Sequence, residues 1–568
     1  MRLLTTLAIF LFIHAAGSAQ SAIYSANSAH HPTIAENGMV SSQHPLATQV
    51  GIDILRQGGN AVDAAVAVGF ALAVVLPRAG NLGGGGFMLL HDAETNKTSA
   101  INYREMAPAA SERDMYLDKD GEVDNDKFNL SYHSVGVPGT VAGLLHALEK
   151  YGSMDIKTVI APAIKLASKG FPITYDLATV LHKQENRLRR CEASQNIFFK
   201  NDSFYRAGEQ LVQKDLAWSL RQISQKGLKG FYDGPLAKKL TSDIQKHGGI
   251  MTVADLKNYK TTETDVLWGK YKGYDIASMP PPSSGGVHLI QMMNILEGYD
   301  LDSLQFNSAE SIHLMVEAMR YAYADRSEHL GDPAFWDNPI EGLLSEAYAD
   351  DTRKKILREK ATASTDVKAG NPKDYESEET THFSVADKYG NVVSNTYTLN
   401  FSFGSGLVAE GTGILLNNEM GDFSAKPGSA NAYGLIGGEA NAVEAGKRPL
   451  SSMTPTIVFK DDKPYIVTGS PGGSRIITTV MQIILNVIDH DMNIAEASHA
   501  PRIHHQWFPD IVFYEKYFSP DTKKALEAKG HELKQRAAMG STQSIMITNG
   551  QFHGSTDPRR PDGTVQGY

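Results

Sequence analysis

Apolar and polar positions along the chain change period several times, and each change marks an element. His44 to Gln57 carries a helical pattern that stops at Gly58-Gly59, and Asn60 then reads as the N-cap of a second helix, Ala61 to Leu76. The second helix is apolar on nearly every face. It is shorter than the ~18 residues a membrane span needs and contains Asp63, so it reads as a helix buried in a large core. Four glycines, Gly83 to Gly86, precede a strand from Phe87 to His91, a turn around Thr95-Asn96-Lys97, and a second strand that ends in Ile101-Asn102-Tyr103-Arg104-Glu105. No Lys-Ser/Thr pair follows the glycines, which excludes a phosphate loop; they read as places where two backbones approach closely.

From Gly136 to about Gly370 the pattern is mainly helical, interrupted by loops such as Pro280 to Gly286. Within it Asn307 to Leu330 opens with Asn307 and Glu310 in a capping-box arrangement and keeps Ile312, Met315, Val316 and Met319 at helical spacing. Ala361 to Glu379 is poor in apolar residues and has the composition of a mobile connector, where a cut is tolerated. At Thr380 the pattern turns abruptly to strand. His382 to Asp387, the turn Lys388-Tyr389-Gly390-Asn391 and Val392 to Thr398 form a predicted hairpin.

Past the hairpin, Asn417 to Phe423 sets Glu419 and Asp422 three apart behind the apolar run Ile414 to Leu416, a pair suited to an ammonium group. Pro427 to Gly438 has the Gly/Ser/Asn/Ala composition of a flap or a surface loop, with Tyr433 as its aromatic. Ser451 and Ser452 precede the strand Thr456 to Lys460. A further strand, Tyr465 to Gly469, leads through Ser470-Pro471-Gly472-Gly473-Ser474 into a helix from Arg475 to about Ile488. Strand, glycine turn and helix aim backbone N–H groups at negative charge, and beside a nucleophile they make an oxyanion hole.

Composition narrows the function. With 568 residues, 42% of them apolar, the chain can bury one large core or two adjoining ones. A net charge of −10 without a basic block disfavours nucleic acid and anionic membranes as partners. Residues 1–19 read as a signal peptide: Arg2, an apolar run from Leu3 to Ile13, then Gly17-Ser18-Ala19. The single cysteine, Cys191, is far from that segment, so the chain is expected to be exported without a lipid anchor or an intramolecular disulfide.

The hydroxyl that opens the hairpin is a candidate nucleophile. If the Glu379–Thr380 bond were broken, the freed α-amine, with a pKa of about 7.7–8.0, would lie beside the Thr380 hydroxyl and could act as its general base. Arg104, at a strand end, can grip a carboxylate with both arms of its guanidinium, or can serve as a surface ion pair. Neither Gly-x-Ser-x-Gly nor His-Glu-x-x-His occurs, and His504-His505 lacks partners at metal-ligand spacing, so serine α/β-hydrolase and zinc hydrolase chemistry lose weight.

Taken in order, Tyr103 to Pro108, the Pro280-to-Gly286 loop, Tyr321 to Arg326, Thr380-Thr381-His382, Tyr397 to Asn400, Pro449 to Thr454, Ser470 to Arg475 and Asp557 to Gly563 resemble the γ-glutamyltranspeptidase family of N-terminal nucleophile hydrolases. The resemblance runs from about Ala35 to the end. It implies an α+β fold, a four-layer αββα sandwich built from one precursor that cleaves itself into a large subunit, residues 20–379, and a small one, residues 380–568. Thr380 is the implied nucleophile, Thr398 its orienting residue, and Gly472 and Gly473 the oxyanion hole.

By the same resemblance Arg104, Ser451 and Ser452 hold the glutamyl α-carboxylate, Asn400, Glu419 and Asp422 surround the α-amino group, and Tyr433 shields the pocket from a lid loop. The implied substrates are glutathione and other γ-glutamyl compounds, with water or an amino acid or dipeptide as acceptor, and no metal or cofactor is implied. One departure stands out: members often carry two aspartates after the methionine, and this chain has Gly421-Asp422. The resemblance to Gram-negative enzymes favours the periplasm over secretion into the medium. Two alternatives stay open: a related cephalosporin, glutaryl or poly-γ-glutamate acylase, and an uncleaved exported amino-acid-binding protein.

Overall fold

The computed structural model describes residues 28–368, 380–429, 431–432 and 434–568. The predicted leader, Glu379 with most of the connector, and Tyr433 lie outside the described residues.

Two seven-stranded sheets stack face to face. In spatial order the first holds Thr564–Gly567, Gly38–Ser42, Thr381–Asp387, Val392–Thr398, Gly85–Asp92, Lys97–Tyr103 and Thr262–Asp265. The second runs Thr33–Ala35, Gln551–Thr556, Gln543–Thr548, Lys463–Thr468, Thr456–Lys460, Tyr274–Ser278 and Leu267–Tyr271. Helices Pro45–Arg56 and Ala61–Val75 cover the first sheet; Gly285–Glu297 lies on the second, with Arg475–Ile488 and Ala309–His329 packed against it. The result is the four-layer αββα sandwich.

Because both faces of the first sheet are covered, its central strands are buried on both sides. Val40, Met88, Leu90, Phe383, Val385 and Val393 join the core under Ala61–Val75. Their neighbours Met39, Phe87, Leu89, Ala386 and Val392 turn to the other sheet and meet Ile457, Val467 and Ile545. Asn60 caps Ala61–Val75 through its side chain, with Asp63 closing the capping box. The glycine run behaves as its sequence predicts: a Cβ on Gly84 would stand 2.0 Å from the Thr398 carbonyl oxygen, and one on Gly86 2.4 Å from that of Thr396.

Two details differ from expectation. The N-cap of Ala309–His329 is Ser308, whose hydroxyl accepts from Ser311 N; Asn307 has φ 54° and donates instead to the Pro501 carbonyl. The stretch read as helical also contains strands, among them Thr262–Asp265, Leu267–Tyr271 and Tyr274–Ser278, which sit at or near the edges of the two large sheets. Edge strands tolerate Lys, Asp and Glu on their exposed side, which hides their alternation.

Candidate active site

The hairpin ends at the site. Thr381 pairs with Tyr397, so the register carries Thr380 opposite Thr398, and both line one cavity. Thr398 is held from several sides: its hydroxyl accepts from Asn400 N at 2.8 Å and its carbonyl accepts from Asn81 Nδ2 at 2.8 Å. Asn81 in turn accepts from Gly84 N and from the Thr140 hydroxyl, which ties the strand end to the glycine run. Asn400 sits at φ 76° and donates from Nδ2 to Asn418 O.

The second sheet delivers the opposite wall. The Ser394 hydroxyl donates to Thr468 O at 3.0 Å and accepts from Thr456 N at 3.1 Å, which locks the hairpin to the strand leading into the glycine turn. In that turn Gly472 and Gly473 have φ of 138° and 55°, values that disfavour any side chain. The Ser470 hydroxyl accepts from Ser541 N and fixes the turn. Gly473 and Ile476, at the start of Arg475–Ile488, face the cavity.

Arg104, Glu419 and Asp422 form the charged floor. The fully buried Arg104 guanidinium donates one arm to Glu419 and the other to Asp422, and its Nε donates to Pro449 O at 3.2 Å. Burial works against the Arg104 charge, but Glu419, Asp422 and Glu105 outweigh it and hold the group above its ordinary value. Burial pushes the Glu419 carboxyl well up, helped by Glu105 and Asp422 and opposed by Arg104. Glu105 behind it is pushed up to about 7 by burial, against the pull of Arg104. The groups read in sequence as binding opposite ends of a ligand therefore pair with one another when no ligand is present.

Ser451 and Ser452 are set by the Pro280-to-Gly286 loop. Ser451 N donates to Pro282 O, and Ser284 donates twice to Ser451 O. Above them Arg326, from helix Ala309–His329, donates from Nε to the Ser284 hydroxyl at 2.8 Å and from Nη2 to the Ser452 hydroxyl at 3.2 Å. Burial lowers the Arg326 pKa to about 10. Asn431 and Leu435 of the Pro427-to-Gly438 segment close the remaining side. The arrangement presents a hydroxyl, a glycine turn at a helix start, and a compact set of both charges.

The family model described as Gamma-glutamyltranspeptidase matches residues 47–567. The chain belongs to the γ-glutamyltranspeptidase family. It is 53% identical over 540 residues to the glutathione hydrolase proenzyme of Escherichia coli (strain K12), covering 95% of this chain and 93% of that one. Among solved structures it is similar to the cephalosporin acylase from Bacillus halodurans, with a TM-score of 0.85, 30% identity, and 96% and 98% of the two chains covered. It is also similar to Helicobacter pylori γ-glutamyltranspeptidase, with a TM-score of 0.57 and 45% identity over 58% of this chain and 94% of that chain. Like its hydrolase relatives, this γ-glutamyltranspeptidase family member is an enzyme.

Of the residues singled out in sequence, Arg104, Thr380, Thr398, Asn400, Glu419, Asp422, Ser451, Ser452 and Gly473 all face the cavity, and Gly472 adjoins Gly473 in the turn. Sequence reasoning missed Arg326 as a site residue, although it closes the Tyr321-to-Arg326 motif. The family departure at Gly421 also has a structural counterpart. A Cβ there would stand 2.4 Å from Asn129 Oδ1, so Asn129, at the end of helix Asn125–Asn129, occupies the space that a side chain at 421 would need.

Proposed function

We propose that this chain is a γ-glutamyltranspeptidase and glutathione hydrolase that matures by cleaving its own Glu379–Thr380 bond. The observation that carries the reading is Thr380 opposite Thr398 in a cavity whose floor is Arg104 paired with Glu419 and Asp422. In maturation the Thr380 hydroxyl attacks the Glu379 carbonyl, its proton passes to the departing α-nitrogen, and water hydrolyses the ester. The products are a Glu379 carboxylate and a free Thr380 amine.

In turnover that amine takes the hydroxyl proton as Thr380 Oγ adds to the γ-carbonyl, and the developing oxyanion is stabilised by N–H groups at Gly472 and Gly473. The proton leaves with the amine product, and water or an acceptor amine then takes the γ-glutamyl group from the ester. A free amino acid end carries –COO⁻ and –NH₃⁺, and only a ligand with both can replace the internal pairing without loss. Arg104, Ser451 and Ser452 take the carboxylate, while Glu419, Asp422 and the Asn400 amide take the ammonium. A ligand with the carboxylate alone displaces Arg104 from Glu419 and Asp422 and leaves those carboxylates without their cation, at a cost of several kcal/mol.

Support for two pieces comes from the Helicobacter pylori relative, solved as a separate chain that covers 58% of this one. The leader supports export to the periplasm or the medium, and among the described residues no helix is long and apolar enough to cross a membrane. The similarity to a cephalosporin acylase favours a related acylase as the second reading. Fragment masses and N-terminal sequencing, with Thr380→Ala alongside, test maturation. The expected result is a smaller chain beginning at Thr380 and an intact variant, and an uncleaved wild type overturns the mechanism. Hydrolysis of a γ-glutamyl anilide against its glutaryl analogue, which lacks the amino group, separates the two readings.

A further inference from the structure

On the far side of helix Ala309–His329 lies a buried cluster that the proposed chemistry does not use. His313 and Glu317 are four apart on one face of the helix, and His531, just past helix Pro520–Ala528, comes to meet them. One ligand atom from each of the three lies within 4.8 Å of the others. All three side chains are buried, where an uncharged imidazole is favoured.

Hydrogen-bond accounting shows what the cluster lacks. His313 Nε2 lies 2.8 Å from Leu357 O and must donate to it, which leaves Nδ1 as a bare lone pair. His531 Nε2, 2.8 Å from that Nδ1, must then be its donor. Among the described residues Glu317 Oε2, beside the two rings, is buried without a partner. Such an orphan is costly inside a protein. The other oxygen, Oε1, accepts from Thr362 N at 3.2 Å and only distantly from Arg320 Nε at 3.4 Å, because the Arg320 fork is committed to Asp510 and Ser364.

We propose that His313, Glu317 and His531 form a binding site for a divalent transition metal, with Zn²⁺ the best match. Two imidazoles and one carboxylate suit that ion, with a water as fourth ligand. His313 already has the orientation of a ligand, since its second nitrogen donates to a backbone carbonyl as metal-bound histidines commonly do. Tetrahedral bonds of about 2.0–2.1 Å place neighbouring ligand atoms roughly 3.3 Å apart. The two rings therefore part by about 0.5 Å to admit the ion, and the His531 proton moves from Nε2 to Nδ1. His313 and Glu317 precede Thr380 and His531 follows it, so under the proposed cut the ion joins the large piece to the small one.

The test uses the mature protein, stripped with a chelator and titrated with Zn²⁺ by calorimetry and with Co²⁺ by visible absorption. One tight equivalent, a tetrahedral Co²⁺ spectrum and a Zn²⁺-dependent rise in Tm are expected, with affinity at least tenfold weaker in His531→Gln and in Glu317→Gln. The pair His30 and His499, stacked at 4.3 Å near the surface, is the competing site, and His30→Ala is expected to leave binding intact. X-ray absorption of the Zn²⁺-loaded wild type counts the imidazoles without any variant. Absence of a tight equivalent, binding that survives His531→Gln, or a shell with fewer than two imidazoles overturns the site. Failure of Glu379–Thr380 cleavage would leave the same metal readouts in the intact chain, so the two proposals fail separately.

Discussion

At the scale of single residues, the charged floor of the cavity explains why Arg104 cannot be replaced lightly. Removing it leaves the buried Glu419 and the half-buried Asp422 beside Glu105 without the guanidinium that pairs with both. Arg104→Met is expected to destabilise the chain by about 3–5 kcal/mol, measured by denaturant unfolding in the uncleaved Thr380→Ala background, where a single chain unfolds. Glu105 gives the floor a pH dependence. Its folded-state pKa of about 7 lies above the ordinary 4.5, so its stabilising contribution is complete below pH 4.5 and is lost as pH rises through 7. Glu105→Gln keeps the neutral form at all pH. Its Tm relative to wild type should therefore rise between pH 5 and pH 8, and a constant difference would refute the assignment. The residue types that face the cavity were legible from the chain because each carries chemistry in a short motif. Arg326 was not, because an arginine on a helix that carries many charged residues looks the same in sequence whether it lines a cavity or supports a loop. The metal triad was hidden for a different reason: His531 is far along the chain from Glu317, and only the fold brings them together.

Elements show which local rules carried through. Asn60 was readable as a cap because its side chain satisfies N–H groups that any helix start leaves open, and Asn60→Ala is expected to cost about 1 kcal/mol in the same background. The hairpin Thr381–Asp387 and Val392–Thr398 was readable because both strands are buried along their whole length and are rich in β-branched and aromatic residues. The strands between Thr262 and Ser278 were not, since Thr262–Asp265 and Leu267–Tyr271 lie at sheet edges with exposed positions that follow no such pattern. The glycine run joins local rule to function. Gly84→Ala sets a Cβ against the carbonyl of Thr398 and displaces the strand end that lies opposite Thr380. We expect a loss of about 3 kcal/mol and cleavage slowed at least tenfold, followed by gel densitometry over time. Normal cleavage in this variant would show that Thr398 tolerates displacement.

Across the whole molecule, the order of strands matters more than any contact. Thr381–Asp387 lies between Gly38–Ser42 and Val392–Thr398, and the latter is followed by Gly85–Asp92, so pieces from before and after Thr380 alternate within one sheet. The second sheet repeats the pattern: Thr33–Ala35 pairs with Gln551–Thr556 at one edge, and Tyr274–Ser278 pairs with Thr456–Lys460 near the other. Under the proposed cut the two pieces should elute together in gel filtration and separate only in denaturant. The same interlacing makes the order of events irreversible. A single chain can rebuild these sheets because the connector holds every strand near its neighbour, whereas two separate chains must find each other and interleave their strands in register. Cleavage thus turns a reversible fold into one whose survival is set by its rate of unfolding. Each copy can be proofread by refolding only while it is still inactive, and an enzyme that has once come apart is lost.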